Sequence, residues 1–137
     1  MALHPAVLAD LLDLEVRQAR DHLGARAHNL RREGSQLLMT LVRPDGSWIL
    51  RLDGRDYDSE PYDATLVDEH GRVLPLEQWI PGFALGIHSS LNIPFVCVSG
   101  TRAFYAHESH YAQRWDTDRY RHRADSLLDH LLRKAAL

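Results

Sequence analysis

The chain has 137 residues, of which 45% are hydrophobic and 26% charged, and a formal net charge of −3 at pH 7. That composition fits one globular domain, 1–137, large enough to bury a core without a covalent staple. The mild acidity argues against non-specific nucleic-acid binding, which requires a basic domain. A single cysteine, Cys97, excludes an internal disulfide and a Cys-x-x-Cys motif, and a lone thiol fits a reducing cytoplasm.

The opening MALHPAVLADLLDLEV carries acids inside its apolar run and no basic leader, so it does not read as a secretory signal. No window supplies the roughly 18 apolar residues of a membrane span, so no membrane partner is expected. Residues 5 to 30 are expected to be helical. Pro5 suits a first turn, and Leu8, Leu11, Leu12, Val16, Ala19 and Leu23 recur every three or four residues as one apolar stripe. Asp13, Arg17, Arg20 and Asp21 occupy the other face. Gly24 is a possible break, and Gly34 closes the region after Arg31-Arg32-Glu33.

Residues 36 to 43, QLLMTLVR, have the length and apolarity of a strand. Pro44-Asp45-Gly46-Ser47 turns the chain into Trp48–Leu52, where Trp48, Leu50 and Leu52 share a side against Arg51. After the polar loop 54–61, Tyr62–Val67 reads as a third strand, closed by Asp68-Glu69-His70-Gly71. Val73–Leu76 is short and interrupted by Pro75. Near the end, Asp116 or Thr117 is placed to cap a last helix. Tyr120, Ala124, Leu127, Leu128, Leu131, Leu132 and Ala135 form its stripe, with Asp129 and Arg133 paired outside. The expected class is α+β: an N-terminal helix, an antiparallel meander, an irregular segment and a C-terminal helix.

Reactive side chains concentrate in that irregular segment. Residues 85 to 115 hold Cys97 and three of the nine histidines, His88, His107 and His110. In Pro-Phe-Val-Cys-Val a cysteine can simply pack as a small hydrophobe. Its place at the end of the apolar run Ile93–Val98, just before Ser99-Gly100, also suits a thiol that reaches solvent beside imidazoles. His107 and His110 stand three apart, so on a helical turn both rings face one point. Neutral imidazoles and a thiolate suit zinc, with Glu108 or His88 completing four ligands, although histidines at this spacing are also ordinary surface residues. Arg102 and Arg114 could hold a carboxylate or be solvated. Arg26, Arg31 and Arg32, and later Arg114, Arg119, Arg121 and Arg123, form basic clusters of the kind that dock partners or face solvent.

The run Pro94-Phe95-Val96-Cys97-Val98-Ser99-Gly100-Thr101-Arg102, followed by His107-Glu108-Ser109-His110 and Trp115, resembles a bacterial family with a Cys-Glu-His-His signature. That family occurs with bacterial ubiquitin-like proteins, activating enzymes and JAB deubiquitinases, and is linked to antiviral defence. More broadly, the element order is similar to the ubiquitin-conjugating (UBC) fold, with His88 ahead of Cys97 where a His-Pro-Asn motif would stand. Ser89 and Ser90 replace that motif's proline and asparagine, and the signature glutamate would fall near Ala103, leaving Glu108 as the nearest carboxylate. The resemblance implies a cytoplasmic ubiquitin-like-modifier conjugating transferase with no cofactor. Cys97 carries the modifier as a thioester, His107, His110 and His88 serve the thiol or the amine, and Ser90, Gly100 and Glu108 support the oxyanion. Its partners are the modifier, an activating enzyme docking on helix 5–30 through Arg17, Arg20 and Arg26, and a target protein. The alternatives are a zinc-binding accessory domain using Cys97, His107, His110 and Glu108, and an interaction module with a buried Cys97.

Overall fold

The computed structural model describes residues 3–107, 110 and 113–137. The apolar stripe forms α1, Pro5–Leu23, with Pro5 in its first turn and the His4 side chain accepting the Ala6 N–H. Leu8, Leu12, Val16, Ala19 and Leu23 are all buried along it. The helix stops seven residues short of the expected 30. Gly24 takes φ 58°, Gly24–Arg26 tightens into one 3-10 turn, and the chain reverses through Asn29 at φ 53°. A left-handed residue ends an α-helix because it points the backbone off the axis, and glycine reaches that region without a Cβ penalty.

A four-stranded antiparallel meander follows, in the order β1 (Arg31–Glu33), β2 (Gln36–Arg43), β3 (Gly46–Asp53), β4 (Asp63–Val67). Residues 31–33, expected to belong to the helical region, are therefore its first strand. The β2–β3 hairpin turns on Pro44-Asp45 alone, with Arg43 opposite Gly46. Alternation sets the sheet's inner face. Leu37, Met39 and Leu41 on β2, Leu50 and Leu52 on β3, and Ala64 and Leu66 on β4 are each no more than 5% exposed. Val73 makes only one bridge, to Val67, so Val73–Leu76 adds no strand.

Beyond the meander, β5 (Gly86–Ile87) and β6 (Pro94–Phe95) form a separate two-stranded hairpin. Three helices follow: α2 (Arg102–Ala106), α3 (Trp115–Asp118) and α4 (Ala124–Lys134). The single expected last helix is thus two. A turn breaks it after Asp118, and Tyr120 lies 72% exposed outside the stripe, whereas Ala124, Leu127, Leu128, Leu131 and Leu132 are buried. The buried side chains of α1, the meander and α4 join in one cluster. This is an α+β domain with a helix at each end of the chain packed with one antiparallel sheet. No helix among the described residues is long and apolar enough to cross a membrane.

A carboxylate sits inside this core. Glu15 lies in the stripe of α1, only 2% exposed. Its Oε1 accepts the Tyr57 and Tyr62 hydroxyls at 3.1 and 3.0 Å and the Ala124 N–H at 2.9 Å, and its Oε2 pairs with Arg123 at 2.7 Å. Arg123 also bonds Asp58 at 2.9 Å, while the Asp58 carbonyl accepts the Trp115 indole N–H at 2.8 Å. These contacts tie α1 to the 54–62 loop and to the start of α4. Arginines make the other close ion pairs too: Arg32 with Asp13, Arg43 with Asp45, and Arg26 with Asp129.

Candidate functional site

The segment after β5 is built so that Cys97 leaves the core at a turn. Phe95, Val96 and Val98 are buried, while Cys97 is partly exposed and has no disulfide partner. Val98 anchors the exit, its carbonyl accepting both the Thr101 hydroxyl at 2.7 Å and the Thr101 N–H at 3.2 Å. Thr101 then caps α2 by accepting the Phe104 N–H, a local competition for backbone donors that hydroxyl side chains win at helix starts.

His110 Nε2 lies 3.6 Å from Cys97 Sγ. Its ring stacks on Phe104 at 3.9 Å between centroids, which fixes the imidazole plane beside the thiol. The His107 ring centre is 6.0 Å from that of His110 and 5.9 Å from that of Phe95, over which it stacks. Four of the expected residues thus fall into one row, Cys97, His110, His107 and His88, with Phe104 and Phe95 supporting it.

His88 has a different part in that row. It is 1% exposed and both ring nitrogens are occupied. Nε2 donates to the Ala103 carbonyl at 3.0 Å, and Nδ1 accepts the N–H groups of Ser90 and Leu91, each at 3.1 Å. It is the pin joining the β5–β6 loop to α2, and it leaves no ring nitrogen for proton transfer at Cys97. Ser90 is exposed, and Gly100 is buried with φ +97°. Glu108 lies outside the described residues.

Two basic expectations change. Arg102 lines a cleft of about 310 Å³ with Asp53, Asp56, Glu60 and Asp63, so carboxylates of the chain itself face it. Burial raises the Asp63 carboxyl above its usual range, with Arg102 opposing that rise. Arg114 pairs with Asp116 at 3.2 Å, and both are exposed. On α1 and beyond it, Arg20 bonds the Leu30 carbonyl and Arg26 pairs with Asp129, while Arg17 is exposed.

The sequence reading missed a second imidazole. His122 Nε2 lies 3.0 Å from the Ser99 hydroxyl, two residues after Cys97. Burial holds the His122 pKa below 6.5, against the opposing pull of the Asp118 carboxylate. Asp118 accepts the Tyr105 hydroxyl at 2.8 Å and Arg121 at 2.6 Å, and it stays below the usual carboxylate range chiefly because Tyr105 donates to it. The Tyr105 pKa is pushed up to about 12 by burial first, then by that bond to Asp118. Nothing local marks this pair, because 23 residues separate Ser99 from His122.

Chemically, the row offers a half-exposed thiol with a base in contact, the minimum for nucleophilic acyl chemistry. Among the described residues no group of three or more His, Cys, Asp and Glu side chains is placed to hold a metal ion, and Glu108 of the zinc alternative lies outside them. No protein-family model and no curated protein matches the chain.

Proposed function

We propose that the chain is a UBC-like carrier that takes a small ubiquitin-like modifier onto Cys97 as a thioester and passes it to an amine. The observation that carries this reading is the contact between Cys97 Sγ and His110 Nε2, 3.6 Å, at a partly exposed cysteine. The α+β element order and the resemblance around Cys97 supply the substrate class.

In the loading step, His110 Nε2 accepts the Cys97 proton as Sγ attacks the thioester carbonyl on the activating enzyme. A new C–S bond forms, and the activating enzyme's cysteine leaves as thiolate and is reprotonated. In the transfer step a target amine attacks the same carbonyl. An amide bond forms and the amine proton is released. Cys97 leaves as thiolate and recovers its proton from His110. His107, next in the row, orients His110 or receives the amine proton. Backbone N–H groups near the Ser99-Gly100 turn and the exposed Ser90 hydroxyl are the candidates for the oxyanion. The activating enzyme docks on α1, with Arg17 and Arg20 as exposed cations there.

The test incubates the purified chain with a bacterial activating enzyme, its ubiquitin-like protein and ATP. The expected first product is an adduct removed by dithiothreitol, a dithiothreitol-resistant ester on position 97 in Cys97→Ser, and nothing in Cys97→Ala. Conjugation that survives Cys97→Ala overturns the reading.

A further inference from the structure

Ser99 and His122 form a second nucleophile–base pair beside the first. The burial pattern places it. Val96 and Val98 are 1% and 2% exposed and belong to the core, while Cys97 and Ser99 between and after them are partly exposed. Cys97 and Ser99 thus flank the buried Val98 as partly exposed residues two positions apart, Ser99 opening the turn that the Thr101 N–H closes on the Val98 carbonyl.

The base is held where Ser99 needs it. A Cβ on Gly100 would stand 2.9 Å from His122 Cβ and 3.2 Å from its Cγ, so His122 lies directly on the bare backbone of the turn. Only glycine permits that approach, and φ +97° at Gly100 disfavours any side chain there. The Nε2 to Oγ distance is 3.0 Å. Partial burial favours the neutral imidazole of His122, the form in which a ring nitrogen can accept a proton. The Asp118 carboxylate favours the imidazolium once it forms, and Tyr105 and Arg121 hold that carboxylate in place.

We infer that Ser99 is an internal acyl acceptor, activated by His122, which takes the acyl group from Cys97 and holds it as an oxyester. This rests on the carrier reading of Cys97. The Ser99 Oγ–H proton passes to His122 Nε2 as Oγ attacks the thioester carbonyl. The C–O bond forms, the C–S bond breaks, and the Cys97 thiolate takes up the proton from His122. Thioester becomes oxyester plus free thiol, so no co-reactant is needed. The direction is favourable because an oxyester is more stabilised by resonance than a thioester. The product resists thiols, so it would keep the acyl group where free thiols strip a thioester.

The experiment uses the full chain and a small donor, acetyl-glycyl-glycine benzyl thioester, followed by intact mass and peptide mapping with and without dithiothreitol. The expected course is one acyl group on Cys97, removed by dithiothreitol, then a growing resistant fraction on Ser99, removed by mild alkali. Ser99→Ala should load Cys97 normally and gain no resistant fraction. His122→Gln should load Cys97 normally and build the Ser99 ester at least tenfold more slowly, since a positioned base contributes roughly 100-fold or more. Loading of Cys97 with no migration overturns this inference and leaves the carrier reading standing. A Cys97 that never loads overturns both. Acylation of Ser99 in Cys97→Ala at the wild-type rate also overturns the transfer, because Ser99 then needs no donor on Cys97.

Discussion

Two histidines of the same row have opposite consequences when removed, which separates chemistry from architecture at single residues. The His110 ring touches the Cys97 thiol and stacks on Phe104. His110→Ala should therefore slow alkylation of Cys97 by iodoacetamide at pH 7 by about tenfold or more, the lower end of a positioned base's contribution. The thermal midpoint should hardly move. His88 bonds three backbone groups in a site 1% exposed. His88→Ala leaves them without partners, so it should cost about 2 kcal/mol of stability. Denaturant titration of both variants checks the pair; equal losses of stability would contradict the assignment. Cys97 and His110 could be picked from the sequence as candidates by residue type and spacing. That His88 is a pin and His110 a neighbour of the thiol could not, since that depends on which ring nitrogens the loop backbone reaches.

Among the elements, α1 shows how a pattern conveys more than it first suggests. Its stripe runs Leu8, Leu12, Glu15, Ala19, Leu23, and the spacing sets Glu15 on the buried side as firmly as the leucines. A carboxylate there needs partners from elsewhere in the chain, and Tyr57, Tyr62, Ala124 and Arg123 supply them. Removing one member of a buried ion pair costs roughly 3–5 kcal/mol because the other charge is stranded. Glu15→Ala should approach that range in chemical denaturation, and the Trp115–Asp58 contact should loosen with it. β1 shows the opposite case. Arg31-Arg32-Glu33 has no apolar alternation, and it is a strand because Gly34 at φ 60° folds it back onto Gln36–Leu38. The Gly54 position is restricted by packing alone. A Cβ there would come within 2.9 Å of the Tyr62 ring and 3.2 Å of the Ser35 carbonyl. Gly54→Ala should cost about 1–3 kcal/mol, as overpacking does.

For the whole molecule, titration should leave a plateau of stability. His122 is held below 6.5 in the folded chain. Above pH 6.5 the group is neutral in both states and has no effect. Below it the unfolded chain binds a proton that the folded chain refuses, so stability falls with pH until the folded value is reached. Tyr105 acts at the other end. Its value rises from 10.0 to about 12, so stability is fully present below pH 10 and declines toward pH 12 as the unfolded phenol ionises first. Asp13, Asp118 and Asp129 are lowered below 3.8, and their contributions vanish as pH falls through those lower values. Thermal midpoints across pH should show the plateau, and His122→Phe should flatten its slope just below pH 6.5. An unchanged slope between pH 7 and 5.5 in His122→Phe contradicts the lowered His122.

The arginine ion pairs carry one more consequence. Of the 16 lysines and arginines, only Lys134 is a lysine. It sits in the last turn of α4. A guanidinium is protonated throughout the working range and does not take an acyl group, whereas an ammonium that loses its proton does. A protein held together by arginines therefore has just one side-chain amine, the one that an acyl group on Cys97 would meet under the proposed function. In the hands of an experimenter the same property makes amine-directed dyes nearly site-specific, placing a single side-chain label at the end of α4.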